Sequence, residues 1–474
     1  MTLCNKRVTV LLQFPQRLPA EKEKAGLKRI WLKEPLAILA EDAAGGVVVE
    51  NGRIGELVAA GARPDAIDET VDCSELVVLP GLINTHHHFY QTLTRAHPQA
   101  INKELFDWLK ALYPVWGRAL NRESFRLATR LALTELLMSG CTTVSDHHYV
   151  FPAGLDDAMD IQVEEARRLG MRITLNRGSM DLSEKDGGLP PDSVVQTTDE
   201  ILKDCERVIG AWHDPAEGSF NQVALAPCSP FSVTTELMRE TAAMAKSCNC
   251  RLHTHLGETH DEDAYCIEKF GCRPVDYLEE TGWMDERVWL AHGIHFNDDE
   301  VRRLGQARVG VCHCPTSNMV LASGICRTKE LEQAGVRLGL GVDGSASNDS
   351  SNLMEGVRHA LMVGRLRYGA SAVTHLDALR WATQGSAQCL GRRDIGGVAP
   401  GMQADLAFYR LDALRFSGAG DALAALVLCG AHRADKVMIG GKWQVEEGLP
   451  LGVDVLKLRG EHGAIARRFA DAVT

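Results

Sequence analysis

The sequence predicts a (β/α)₈ barrel carrying a small β domain assembled from both ends of the chain. Eight short apolar runs recur between longer segments whose apolar residues fall at helical spacing, such as "ESFRLATRLALTELLMSG" and "TTELMRETAAMAKSC". Each run begins apolar and ends in His, Asp, Arg, Cys or Glu, and barrels of this kind keep their chemistry at the C-terminal ends of the strands. Runs broken by Gly-rich and Asn-Gly turns, the pattern of antiparallel hairpins, stand before and after this array.

Taken in order, residues 1–28 read as an N-terminal extension. Their only apolar piece, "VTVLLQF", is brief and is followed by Pro and a charged KEK cluster, so it does not make a signal peptide. Residues 29–78 supply the first hairpins. The barrel spans residues 79–395, and its eight strands are expected at "VVLPGLINTHHH", "TTVSDHHY", "RITLNRGSM", "VALAPCSP", "RLHTHLGE", "VWLAHGIHF", "VGVCHCPTSN" and "RLGLGVDGSASN". Residues 396–450 return to hairpins in "GMQADLAFYRLD" and "DKVMIGGKWQVEEG", and 451–474 form a tail with a final helix.

With 474 residues, 45% of them hydrophobic and 24% charged, the chain can bury a large core and hold more than one domain. A net charge of -12 argues against a polynucleotide surface, which normally shows as a basic patch or stripe. Small neutral or cationic substrates fit better. The fourteen cysteines lack the dense spacing of a small secreted scaffold, and no apolar run reaches transmembrane length. A reduced cytoplasm is the expected location, with neither a membrane nor nucleic acid as a partner.

The chemistry gathers at strand ends. In "THHH", side chains alternate, so His86 and His88 face one way and His87 the other. Strand five adds His253, His255 and Glu258, strand six His292 and His295, and strand eight Asp343. Three neutral imidazoles and a carboxylate, His86, His88, His255 and Asp343, make a four-ligand set for one divalent ion, Zn²⁺ first and Fe²⁺ second. Such an ion brings the pKa of its water towards neutrality, which points to hydrolysis. His87, His147, His148, His253, His295 and His313 read individually as packing residues, and so do the CxC pairs "CNC" and "CHC".

The order "PGLINTHHH", "HTHLGE", "AHGIHF", "GVDGSASN" and "PGMQADLAFY" resembles the amidohydrolase superfamily, in its branch of purine, cytosine and triazine deaminases and chlorohydrolases. The resemblance implies a TIM barrel with a small composite β-sandwich domain and one catalytic metal on His86, His88, His255 and Asp343. A second metal would need a Lys ending strand four, and "VALAPCSP" has none. The branch also implies Glu258 as proton shuttle and His292 as the residue that orients the attacking oxygen. Asp343 would carry the second proton to the leaving amine.

A finer resemblance lies in "HHHFYQTLTRA", "ELFDWLKALYPVWGRA", "LNRGSMDLSEKDGGLPPDSVVQ" and "LAPCSPFSV". It implies hydrolytic deamination of a free purine-type base, 8-oxoguanine to urate and ammonia, with triazine, guanine and isoxanthopterin chemistry as alternatives. By position, Gln91 and Arg177 are the expected hydrogen-bond partners of the base, Trp116 an aromatic wall, and Cys228 a contact at the end of strand four. Barrels of this kind commonly associate, so further copies of the chain are expected partners. Polynucleotide deaminases use a short H-x-E and P-C-x-x-C signature, which this sequence lacks.

Overall fold

Eight parallel strands form the barrel: β1 (Leu82–Asn84), β2 (Cys141–His148), β3 (Arg172–Ser179), β4 (Asn221–Pro227), β5 (Arg251–Leu256), β6 (Val288–His292), β7 (Gly310–His313) and β8 (Arg337–Leu340). They pair in sequence order. The structure is a computed structural model and describes residues 28–471. The expected extension therefore lies, but for Lys28, outside the described residues.

The ends of the sheet close on each other. Thr85 donates both its backbone N–H and its Oγ1–H to Leu340 O at 3.0 and 2.9 Å. Val342 N–H donates to Asn84 Oδ1 at 2.9 Å, and Asp343 N–H donates to His86 O at 3.0 Å. Every residue of β2 and β3 is buried, as expected for strands with barrel lumen on one side and helices on the other.

Two further sheets come from the chain ends. The six-stranded one orders Leu449–Pro450, Lys442–Glu446, Lys436–Ile439, Leu406–Arg410, Leu76–Pro80 and Ala37–Ile38, so it interleaves both ends of the chain. The four-stranded one orders Arg53–Val58, Gly46–Glu50, Arg29–Lys33 and Glu69–Asp72. Leu32, Val47, Ile54, Val78, Phe408 and Met438 form an apolar core of their own between them.

The strand Leu76–Pro80 crosses residue 78, where the sequence pattern divides the chain, and its five residues pair antiparallel with Leu406–Arg410. The change of sheet falls at Gly81. Its N–H donates to Asp405 O, and a Cβ there would lie 2.2 Å from Thr142 Oγ1, so only glycine lets the chain pass. The closing helix, Val455–Asp471, is more than a tail. Ile465 and Phe469 enter the main core, and His462 Nε2 lies 3.1 Å from Thr92 Oγ1. No helix among the described residues is long and apolar enough to cross a membrane.

Arg172 at the start of β3 ties the barrel to the six-stranded sheet. Its guanidinium donates to Asp405 through Nε and Nη2 at 2.7 and 3.1 Å, to Gly218 O at 2.7 Å and to Gln403 Oε1 at 3.1 Å. Arg172 is 1% exposed and Asp405 2%. Removing one partner strands the other charge without solvent, so Asp405→Ala is expected to cost about 3–5 kcal/mol. A lowered denaturation midpoint in urea, with metal content unchanged, checks this; an unshifted midpoint refutes it.

Candidate metal centre and active site

The site lies where the strands of the barrel end. The ladder of β1 stops at Asn84, yet His86 and His88 still alternate with His87, as an extended chain requires. His86 Nε2 and His88 Nε2 lie 3.4 and 3.3 Å from Asp343 Oδ1, and His88 Nε2 lies 3.2 Å from His255 Nε2. Donors sharing a tetrahedral ion at zinc-nitrogen distances sit about 3.3 Å apart. His87 turns away, with Nε2 2.9 Å from Ser351 Oγ.

The hydrogen bonds behind the rings fix which nitrogen each presents. His88 Nδ1–H donates to His147 O and His255 Nδ1–H to Cys228 O, both at 2.6 Å. A carbonyl oxygen cannot donate, so both Nε2 atoms are bare lone pairs. The same logic runs through His253. Its Nδ1–H donates to Trp289 O at 2.8 Å, so its Nε2 accepts from His86 Nδ1–H at 2.8 Å, which leaves His86 Nε2 as a lone pair. That atom is buried and has no hydrogen-bond partner. Three converging lone pairs and a carboxylate are a donor set that fits a divalent ion.

Electrostatics agree. Burial is the first cause in three of the rings: it holds His86 and His253 well below the usual histidine range and His255 at about 3, so these three imidazoles are neutral at pH 7. Burial acts first and would raise the Asp343 carboxyl, but the His86 and His88 rings that face it hold it well below the usual range. Glu258 is the opposite case. Burial, then the charge of Asp343, lifts its carboxyl well above the usual range.

Glu258 Oε2 lies 3.4 Å from His292 Nε2. Asn318 Oδ1 accepts from His292 Nδ1–H at 3.0 Å, which turns the Nε2 lone pair of that ring towards the site. His292 and Asp343 both hold left-handed backbone, with φ of 72° and 68°. Non-glycine residues rarely adopt it, and such strain gathers at functional sites. Glu262 accepts from Gly257 N–H at 2.8 Å and so pins the turn that carries Glu258.

These groups floor a cavity of about 30 Å³. The helix α1 (Leu105–Ala119) walls one side with Leu105, Trp108, Leu109 and Tyr113, and Tyr149 and Phe231 also line the cavity. Gln91 and Cys228, the expected contacts of the base, both line it. The Cys228 thiol is pushed up to about 12, chiefly by burial, and stays protonated. Gln91 Oε1 accepts from Ala346 N–H at 3.4 Å, so its carboxamide also steadies the loop after β8.

Two expected contacts are absent from the lining. Trp116 lies deeper along α1, with Nε1–H donating to Thr94 Oγ1 at 3.1 Å, and Trp108, two turns earlier, occupies the expected place. Arg177 is on the helix side of β3. It donates to Asp204 Oδ2 at 2.7 Å, to Gln196 Oε1 at 3.0 Å and to Gly178 O, with its guanidinium 4.0 Å from the Phe151 ring centroid.

A barrel whose strand ends present three imidazoles and a carboxylate, beside an acid kept ready to hold a proton, defines a metal-dependent hydrolase site. The chain belongs to the amidohydrolase family, whose sequence model matches residues 77–444. It is 58% identical over 444 residues to the 8-oxoguanine deaminase of Pseudomonas aeruginosa, covering 93% of this chain and 99% of that one. It is 36% identical over 440 residues to an isoxanthopterin deaminase from an unknown prokaryotic organism, covering 88% and 91%. Among solved structures, the atrazine chlorohydrolase of Arthrobacter aurescens TC1 complexed with zinc superimposes with a TM-score of 0.86 at 30% identity, covering 92% and 99%.

Proposed function

We propose that this chain is a hydrolytic deaminase of the free base 8-oxoguanine, producing urate and ammonia. The observation that carries the reading is the near full-length 58% identity to a protein of that activity, together with a cavity lined by His88, His255, Glu258, His292 and Asp343, with His86 grouped beside His88 and Asp343. When bound, one divalent ion per chain, Zn²⁺ in this reading with Fe²⁺ as the second choice, supplies the Lewis acidity that lets water ionise near neutral pH.

The residues supply the rest. Glu258 takes a proton from the attacking water and passes it to the ring nitrogen beside the amine-bearing carbon, a transfer suited to a carboxyl whose proton affinity burial has raised. His292 accepts a hydrogen bond at Nε2 and fixes the oxygen's approach. Asp343, ionised at the start, takes the water's second proton and hands it to the departing amine, so that C–NH₂ and H₂O become C=O and NH₃. Cys228 and Gln91 contact the base.

In this reading residues 29–78 and 396–450 form a supporting β-sandwich domain and 79–395 the catalytic barrel. The net charge of -12 favours a free base over a polynucleotide. The thirteen free cysteines of the described residues suit a reduced cytoplasm.

Steady-state kcat/KM for 8-oxoguanine, guanine, isoxanthopterin and hydroxyatrazine tests the assignment. 8-Oxoguanine is expected to lead, by up to about 10⁴-fold where a buried polar group meets only the distinguishing edge. Preference for any of the other three overturns the substrate and leaves the hydrolase reading intact.

A further inference from the structure

The cavity leaves one hydrogen bond unmade. Of the residues that line it, Tyr113 alone carries a buried polar side-chain atom with no partner among the described residues, its Oη. The other polar groups of the lining either have partners or are open to the cavity. Tyr113 is 1% exposed and belongs to the same face of α1 as Leu105, Trp108 and Leu109, where residues three to four apart meet. Burying a hydroxyl without a partner destabilises the folded state. Phenylalanine in its place would avoid that cost while keeping the ring contact with Trp116 at 5.9 Å.

We propose that the Tyr113 hydroxyl is a specificity-determining group, which donates a hydrogen bond to an oxo group of the heterocycle bound over the metal centre. The inference rests on the deaminase reading and adds to it the group that selects an oxo-bearing base. Burial first, then Cys228, Tyr90 and Glu258, keeps the phenol well above its usual pKa, so it remains an O–H donor at working pH. A donor of this kind rewards a carbonyl oxygen and penalises a base with nothing at that edge, because its hydroxyl then stays unpaired.

Tyr113→Phe tests the assignment on the metal-loaded enzyme by three readouts. Expected are a melting temperature equal to or above that of the parent, unchanged metal content, and kcat/KM for 8-oxoguanine lowered about tenfold, carried by KM. A structural tyrosine would behave the other way: loss of its hydroxyl would lower the melting temperature. Either that fall, or kcat/KM within twofold of the parent, overturns the proposal while leaving the deaminase reading standing. A parent enzyme that releases ammonia from none of the bases overturns the deaminase reading itself and this inference with it.

Discussion

Glu258→Gln is expected to bind its metal as the parent does and to lose turnover by roughly a hundredfold or more. The size follows from removing a general acid-base group, which contributes typically 10²–10⁴-fold. Retention follows from geometry, because Glu258 lies beside His292 and belongs to none of the groups of buried side chains able to hold an ion, among them His86 with His88 and Asp343. Glutamine keeps the volume and the hydrogen-bonding oxygen but cannot take a proton at neutral pH. Metal analysis alongside kcat separates the two effects. Near-parental kcat would assign the proton transfer to another residue, and loss of metal would make Glu258 a ligand.

The second large effect is expected at the metal. Purified protein should hold about one firmly bound divalent ion per chain, and His255→Ala should release it and abolish activity. His253→Ala supplies the graded comparison. His253 only holds the His86 ring in the tautomer that presents Nε2, and supporting groups of that kind are worth about 10–100-fold in affinity. Competition against a chelator of known affinity should therefore rank parent above His253→Ala above His255→Ala. Equal affinities for the two variants would make His253 a ligand in its own right, and two ions per active chain would refute a single-metal centre.

The barrel could be read from sequence because each strand ends in residues that neither solvent nor a core would explain. His86, His88, His255 and Asp343 stand out for that reason, and HxH spacing on an extended chain tells which rings converge. The same spacing relates His253 to His255, so its place on the inner face was also readable. What spacing alone does not reveal is that His253 serves His86 by hydrogen bond.

The substrate contacts depend on facts with no local signature. Trp108 and Trp116 share one helical stripe, and only the position of the cavity along α1 distinguishes them. Arg177 was expected at the base because it stands near a strand end. Its partner Asp204 is 27 residues away, and nothing local marks the pair. Tyr113 is a further tyrosine in a buried helix until the partners of its neighbours are counted. Leu76–Pro80 looked like the approach to β1 because its apolar run continues into it, while its pairing with Leu406–Arg410 is a long-range choice.

That pairing also sets a timetable. Leu76–Pro80 leaves the ribosome roughly 330 residues before the strand that completes it, a wait of about 15–70 s at the usual pace of synthesis. Thr92, in the segment that follows the first histidines, meets His462 near the chain's other end. The nascent barrel thus carries an apolar strand with one edge open through most of its synthesis, the period in which such edges invite aggregation and chaperone capture. The proposed ligands His86, His88, His255 and Asp343 are spread from just after β1 to just after β8, so that set is complete only once Asp343 has been made.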